Sequence, residues 1–132
     1  MQLLMVSHKG LASGMLSAAQ FVAGDVVKAD VLEMDDAGLA DYQKRLAQVL
    51  DSYTQSEPVT LLSDIPAGSA GSAAYAALQS GGFDVTYVSG INLAFLLEFV
   101  LTGNLEQAVQ AGQQALSIVN DADAEDADDE DF

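Results

Sequence analysis

Short apolar runs and longer segments with helical spacing alternate along the first 118 residues of the chain. The apolar runs predict four buried strands, at residues 3–7, 26–34, 59–64 and 83–89. The segments in which apolar residues recur every three or four positions predict helices at residues 10–23, 38–55, 70–80, 92–102 and 104–118. This order, βαβαβαβαα, predicts an α/β fold. We expect a single domain with a mostly parallel central sheet that helices flank on both faces.

The first two predicted helices are amphipathic, and their spacing assigns an apolar face to each. The face of the first helix is predicted to contain Leu11, Met15, Leu16, Ala19 and either Phe21 or Val22. The face of the second helix is predicted to contain Leu39, Tyr42, Leu46, Val49, Leu50 and Tyr53. In the last helix, Asn104 and Gln107 have the spacing of an N-terminal capping pair, which places the start of that helix at Asn104.

Composition narrows the function classes that the chain can serve. The 132 residues include no cysteine, which excludes disulfides, cysteine-ligated zinc, iron–sulfur clusters and thiol catalysis. Only four basic residues oppose 20 acidic ones, for a net charge of −16. This balance argues against binding to nucleic acid or to an anionic membrane, because both require clustered cations.

The acidic residues are concentrated at the end of the chain. Eight of the 20 acids lie in the run DADAEDADDED, between Asp121 and Asp131. Like charges with almost no apolar residues repel one another and bury little surface. We therefore expect a folded domain at residues 1–120 and a disordered tail at 121–132, which serves either for solubility or for a dedicated interaction.

The chain shows no targeting or membrane-spanning pattern. The apolar run at residues 3–6 is short and has no basic flank, unlike a signal peptide. The longest apolar stretch, at residues 91–101, contains Asn92 and Glu98 and is shorter than the roughly 20 residues that a membrane helix needs. The expectation is a soluble, intracellular protein.

Two polar residues stand at the carboxyl ends of predicted strands. His8, the only histidine, directly follows the first predicted strand, and Asp64 ends the third. Ligands of open α/β sheets bind at the carboxyl ends of the strands. If the two strands are adjacent, Asp64 can accept a hydrogen bond from one ring nitrogen of His8. The other nitrogen would then be an oriented nucleophile. Asp64 as a cap for the following turn is the alternative interpretation.

A turn of small residues follows Asp64 and leads into the third predicted helix. Gly68, Ser69, Ala70 and Gly71 would let backbone N–H groups approach an anion, and Ser69 would add a hydroxyl donor. The pattern predicts a phosphate-binding turn. Neither GxxxxGK[ST] nor GxGxxG occurs, and one histidine with scattered carboxylates is not a metal-ligand set. We expect no cofactor and no metal.

Three motifs in this order resemble the IIA component of the mannose/fructose/sorbose class of the bacterial sugar phosphotransferase system (PTS). They are LLMVSHKGLASGML, VTLLSDIPAGSAGSAA and VTYVSGINLAFLLEFV. They are similar to the family's strand with Ser/Thr-His, its strand with Asp and a Gly-Gly-Ser-Pro turn, and its Gly-x-Asn-Leu-Pro segment. The resemblance covers about residues 1–118.

The resemblance assigns roles to individual residues. The phosphorylated histidine of the family falls on His8, the aspartate that orients it on Asp64, and the serine that contacts the phosphate on Ser69. The departures are Ala67 for the first turn glycine, Ala70 and Ala94 for two prolines, and Lys9 for the glycine that often follows the histidine.

The function implied by the resemblance is that of a phosphocarrier. His8 would take a phosphoryl group from the carrier protein HPr and pass it to a histidine of a separate IIB component, during sugar uptake by a membrane complex of IIC and IID. The resemblance also implies a cytoplasmic homodimer, peripheral to the membrane through that complex. In the best-known form of the family a C-terminal strand is exchanged between subunits. Here only residues 116–119 could supply such a strand.

Two alternatives remain at the level of the sequence. One is the phosphotransfer subunit of a dihydroxyacetone kinase system, to which Gly68, Ser69 and Ala70 are a partial match; the segment at residues 90–93 favours the sugar-transport branch. The other is a non-catalytic regulatory module of the same fold, which the joint presence of His8, Asp64 and Ser69 disfavours.

Overall fold

Four parallel strands form the centre of the molecule. The computed structural model describes residues 1–25 and 27–120. The strands are β1 (Gln2–His8), β2 (Asp30–Met34), β3 (Val59–Ser63) and β4 (Val85–Ser89). Their order in the sheet is β2-β1-β3-β4, and each neighbouring pair is parallel. The predicted α/β class is confirmed, and the sheet is fully parallel within the described residues. The predicted acidic tail lies outside them.

Five helices connect or follow these strands and cover both faces of the sheet. They are α1 (Leu11–Ala23), α2 (Gly38–Asp51), α3 (Ser69–Ser80), α4 (Leu93–Thr102) and α5 (Leu105–Ala115). Side chains alternate along β1: Leu3 and Met5 pack under α1, α4 and α5, whereas Leu4 and Val6 pack under α2 and α3. The alternation follows from the two-residue period of a strand. The molecule is a three-layer single domain, as predicted.

Several predicted elements are longer than the observed ones, and the largest differences are at β2 and α2. The second strand was predicted from residue 26, which lies outside the described residues, but β2 begins at Asp30. The chain turns before it, because the Val27 N–H donates to the Gly24 carbonyl at 3.3 Å. Helix α2 ends at Asp51 rather than at residue 55, since i→i−3 bonds close its last turn.

Some residues assigned to apolar helix faces are exposed. Leu11, Leu39 and Phe21 lie at the surface, and 88% of Phe21 is accessible. The prediction was wrong for Leu11 and Leu39. Of the two alternatives Phe21 and Val22, Val22 is the partly buried one.

Within the predicted face of α1, Ala19 is buried, and Met15 and Leu16 pack partly buried against the core. Ala12, which was not predicted, is buried beside them.

The start of α5 is capped, but in a different way from the predicted pair. Asn104 Oδ1 accepts the Gln107 N–H at 3.0 Å, as expected for an N-cap. The Gln107 side chain bonds to Glu98 instead of returning to the Asn104 N–H, which donates to Thr102 Oγ1 at 3.1 Å. In a capping box, the Gln107 side chain and the Asn104 N–H would bond to each other. Here each of them bonds to a residue of α4. Among the described residues, no helix combines the length and the hydropathy required to cross a membrane.

Candidate functional site

The carboxyl ends of β1 and β3 bring His8 and Asp64 into direct contact. The two strands are neighbours, and their register pairs Val6 with Ser63. Asp64 Oδ2 lies 2.8 Å from His8 Nδ1 and accepts the backbone N–H of the same residue at 3.0 Å. One carboxylate oxygen therefore fixes both the ring and the main chain of the only histidine.

Asp64 is held as an ionised acceptor. Its side chain is 11% exposed, and its Oδ1 accepts the Ile65 N–H at 3.0 Å. Burial raises the pKa of this carboxyl, but the hydrogen bonds from His8 and Ile65 outweigh burial and hold the pKa below its usual value. An ionised carboxylate can only accept hydrogen bonds, so Nδ1 of His8 must carry the proton that points to it.

The rest of the His8 ring faces outward. The side chain is 48% exposed. Nε2 makes no hydrogen bond within the part of the chain that the structure describes. When the ring is neutral, a proton on Nδ1 leaves the Nε2 lone pair free. The arrangement therefore orients the ring and leaves Nε2 accessible.

Gly68 brings the turn after β3 against the His8 ring. A Cβ atom at this position would lie 3.1 Å from His8 Cε1 and 2.9 Å from Ile65 Cγ1, so a larger residue would push the turn away. Gly68 is also the N-cap of α3, and no side chain caps this helix. The first intrahelical bond runs from the Ser72 N–H to the Gly68 carbonyl. The N–H groups of residues 69–71 therefore form an open, positive helix end beside the imidazole.

The other sequence-predicted turn residues take distinct places. Ser69 is exposed at the first position of α3, and Ala70 and Gly71 are buried behind it. The Ala70 carbonyl accepts the hydroxyl of the buried Tyr42 at 2.6 Å, which ties α2 to the first turn of α3. The Gly68 N–H already donates to the Ile65 carbonyl at 3.4 Å. Of the two glycines, Gly68 approaches the His8 ring, whereas Gly71 approaches Ser63 and Tyr87.

Glu33, to which no sequence motif pointed, caps the N-terminus of α1, the second helix that starts beside His8. Its carboxylate accepts the Gly10 N–H at 3.1 Å and the Ser13 N–H at 2.8 Å, at the start of α1. Burial raises the pKa of this carboxyl, but the bonds from Ser13 and Gly10 prevail and lower it. The sequence did contain a signal for Glu33, because an acidic residue near the carboxyl end of a strand lies at the edge where ligands of parallel sheets bind.

Ser7 and Lys9, on either side of His8, bond to different partners. The Ser7 hydroxyl is buried; it donates to the His8 carbonyl at 2.7 Å and accepts the Ala12 N–H at 2.8 Å. Lys9 Nζ lies 3.0 Å from Asp36 Oδ2, and both side chains are largely exposed. An exposed pair of this kind contributes little to stability. Ser7 thus fixes the loop, whereas Lys9 lies on its surface.

The Asn92 side chain, from the third motif, bonds to the backbone of α4 and α5 and links these two helices. Its Oδ1 caps α4 by accepting the Phe95 N–H at 2.9 Å, and its Nδ2 donates to the Gly112 carbonyl at 2.8 Å. Just before it, the Ile91 N–H donates to the Ser63 carbonyl at 3.2 Å. This segment joins the last two helices to the end of β3, one residue before Asp64.

The comparison with protein families agrees with this geometry. Residues 2–123 match the sequence profile of a family described as the PTS system fructose IIA component. No curated protein sequence matches the chain.

Several solved structures with a similar fold are described as phosphotransferase system proteins. The chain is similar to the mannose/sorbose-specific IIA subunit from Enterococcus faecalis, with a TM-score of 0.78, 25% identity, and coverage of 90% of this chain and 94% of that one. It is also similar to the PTS IIA protein associated with the fucose utilization operon from Streptococcus pneumoniae, with a TM-score of 0.73, 24% identity, and coverage of 89% and 91%. For component EIIA from Streptococcus agalactiae the TM-score is 0.75, the identity 18%, and the coverage 92% and 97%. The last two likenesses, below 25% identity, concern the fold alone.

Proposed function

The chain belongs to the PTS system fructose IIA component family, and from that premise we propose that it is a phosphocarrier. His8 receives a phosphoryl group from the phosphohistidine of HPr and passes it to a histidine of a IIB component. The carrier works in the cytoplasm, and its link to the membrane components IIC and IID is indirect. The family match does not favour a dihydroxyacetone kinase subunit.

The observation that carries this proposal is the contact between Asp64 and Nδ1 of His8, 2.8 Å long. In the transfer step the Nε2 lone pair attacks the phosphorus, and the phosphorus–nitrogen bond of the donor breaks. The electron pair of that bond returns to the donor imidazole. The ring of His8 gains positive charge as the new bond forms, and the Asp64 carboxylate stabilises that charge. No nucleotide is consumed in this step.

We propose that the uncapped N-terminus of α3 binds the transferred phosphoryl group. The N–H groups of Ser69, Ala70 and Gly71 precede the first helical bond, and the Ser69 hydroxyl is exposed beside them. A loose transition state spreads negative charge over the phosphoryl oxygens, where such donors are effective. The carboxylate of Glu33 already bonds to the N–H groups at the start of α1. The N-terminus of α3 is therefore the better binding site for an anion at this edge of the sheet.

Phosphorylation by purified components tests the proposal directly. The chain is incubated with enzyme I, HPr and phosphoenolpyruvate, and its intact mass is measured. We expect the mass of one added phosphoryl group in the wild type and none in His8→Ala. Lys9→Ala, which changes the next, exposed residue, is the matched control and should be phosphorylated. Label that persists in a folded His8→Ala variant would refute the assignment.

We also propose that the carrier is a homodimer. Past the end of α5, Leu116, Ile118 and Val119 are exposed apolar side chains. The strand β4 pairs only with β3 among the described residues, which leaves one edge of the sheet uncovered. Burial of such surface against a second copy would be favourable. Light scattering should give the mass of a dimer for the wild type and of a monomer for a Leu116→Ser/Ile118→Ser variant, whereas Phe21→Ser should remain dimeric.

A further inference from the structure

A partly buried pair of hydroxyls, from Ser63 and Tyr87, lies behind the turn that carries Asp64. Tyr87 Oη, on β4, lies 2.8 Å from Ser63 Oγ, and Ser63 Oγ lies 3.3 Å from the Ile65 carbonyl oxygen. A serine hydroxyl carries one hydrogen. If Ser63 gives it to Ile65, Tyr87 must donate to Ser63, and the bonds run in one direction from β4 to the turn.

This hydroxyl relay (Tyr87, Ser63 and the Ile65 carbonyl) ends one residue from the catalytic carboxylate. The Ile65 N–H donates to Asp64 Oδ1 at 3.0 Å, and the Ile65 carbonyl also accepts the Gly68 N–H at 3.4 Å. The position of Ile65 therefore sets both the carboxylate that holds His8 and the glycine that packs on the ring.

The same hydroxyl pair also supports the first turn of α3. A Cβ atom added at Gly71 would overlap the Tyr87 hydroxyl oxygen and would lie 3.0 Å from Ser63 Oγ. The backbone of Gly71 thus rests directly on the relay. The ring of Tyr87 packs at 5.2 Å from the ring of Tyr75, which limits its own movement.

We infer that Tyr87 is a positioning residue of the phosphotransfer site. Its hydroxyl holds two parts in register: the turn that carries Asp64 and the helix end that receives the phosphoryl oxygens. This inference rests on the proposed function. Tyr87 touches neither His8 nor the phosphoryl group, so its effect is on geometry, to which transfer rates are sensitive.

Removal of the hydroxyl alone tests the inference by kinetics. We expect Tyr87→Phe to lower kcat for phosphoryl uptake roughly tenfold, because small misplacements of reacting groups are costly. The KM for phospho-HPr should stay unchanged, because the hydroxyl lies against the buried Ser63 and Gly71. Ser63→Ala should have a similar effect. The double variant should be no slower than the slower single variant, because both changes break the same relay.

A matched control is available on the same aromatic pair. Tyr75→Phe also removes a tyrosine hydroxyl, but that group accepts a bond from Gln79 Nε2 on the surface of α3. It should retain the wild-type kcat. A Tyr87→Phe variant with wild-type kcat, a parallel loss in Tyr75→Phe, or a KM that changes in place of kcat would each overturn the inference.

A spectroscopic measurement separates this inference from the proposed function. The single histidine gives one imidazole ¹⁵N signal set, which reports the fraction of neutral ring protonated on Nδ1. We expect that fraction to fall in Tyr87→Phe and to stay unchanged in Tyr75→Phe, because only the former loosens Asp64. If the wild type takes up no phosphoryl group, the proposed function fails, and this measurement alone decides. An unchanged tautomer fraction would then overturn the inference, and a reduced one would support it.

Discussion

The Asp64 side chain combines three contacts in one carboxylate. Oδ2 binds both the ring and the backbone of His8, and Oδ1 binds the Ile65 N–H. The contacts to His8 select the Nδ1-protonated tautomer, and the contact to Ile65 fixes the carboxylate itself. At the scale of single residues, Asp64 therefore orients the His8 ring, and we expect the reactivity of His8 to depend on it.

Replacement of Asp64 by asparagine should slow phosphoryl transfer strongly. The neutral amide of asparagine cannot balance the positive charge of the phosphorylated ring, and it can turn an N–H toward Nδ1. The loss of one electrostatic partner typically lowers the rate by about 10²–10³-fold. Rapid-quench measurement of uptake from phospho-HPr checks this expectation, with the circular dichroism spectrum unchanged.

Asp36→Asn is the matched control for that experiment. Asp36 lies at the same edge of the sheet, but it is exposed, and within the described part of the chain its side chain bonds to Lys9 alone. Its variant should transfer at nearly the wild-type rate. Equal rates for Asp64→Asn and the wild type would show that the carboxylate does not take part.

The sequence predicts His8 and Asp64 better than it predicts the residues behind them. Both follow apolar strands, and the rule for parallel sheets places their strand ends at one edge. Glu33 and Tyr87 act through contacts that depend on the order of β2 and β4 in the sheet and on the close approach of Gly71. Spacing along a single chain does not encode such distances.

At the scale of elements, the start of α1 depends on a residue from another strand. Its N-cap, Gly10, has no side chain, and Glu33 of β2 supplies the acceptor for two N–H groups. Helix starts that lose a cap typically lose about 1–2 kcal/mol. Glu33→Ala should therefore lower the free energy of unfolding at neutral pH by about that amount, as measured by urea denaturation.

The effect of this substitution should depend on pH in a defined direction. The folded-state pKa of Glu33 lies below its usual value of 4.5. The stabilisation of the fold by the ionised Glu33 is therefore complete above pH 4.5. It is lost as the pH falls through the lower pKa of the folded state. The difference between wild type and Glu33→Ala should shrink below that range. Asp84→Ala, at an exposed position before β4, is the control and should match the wild type at neutral pH.

Apolar periodicity predicts the elements themselves well and their packed faces less well. Every predicted strand and helix is present, because each carries a continuous apolar run or a clear helical period. The predicted face of α1 was right for Ala19 and for the partly buried Met15 and Leu16, but it included the exposed Leu11 and missed the buried Ala12. The end of α2 depends on the turn at residues 52–53, where no glycine or proline marks the stop.

At the scale of the whole molecule, charge is the dominant feature. The chain has a net charge of −16, and the segment at residues 121–132 contributes eight of its 20 acidic residues. The folded part described by the structure contains His8, Asp64 and the open end of α3. We therefore expect the acidic segment to affect transfer only through long-range repulsion, which is screened beyond about 8 Å at physiological salt.

Truncation after Asn120 should leave phosphoryl transfer nearly intact. The rate should change modestly at physiological salt and more at low salt, because screening weakens as the ionic strength falls. Kinetics of the truncated chain at two salt concentrations measure this dependence. A loss of folding or of activity would show that the acidic segment contributes to the structure.

The central claim is that Asp64 holds Nδ1 of His8 and leaves Nε2 to react. Phosphorus NMR of the protein loaded from phosphoenolpyruvate through enzyme I and HPr tests it most directly, because the two phosphohistidine isomers have distinct signals and the chain has one histidine. The account predicts the signal of Nε2-phosphohistidine, and its absence from His8→Ala. A signal of Nδ1-phosphohistidine, or no phosphohistidine in the wild type, would contradict it.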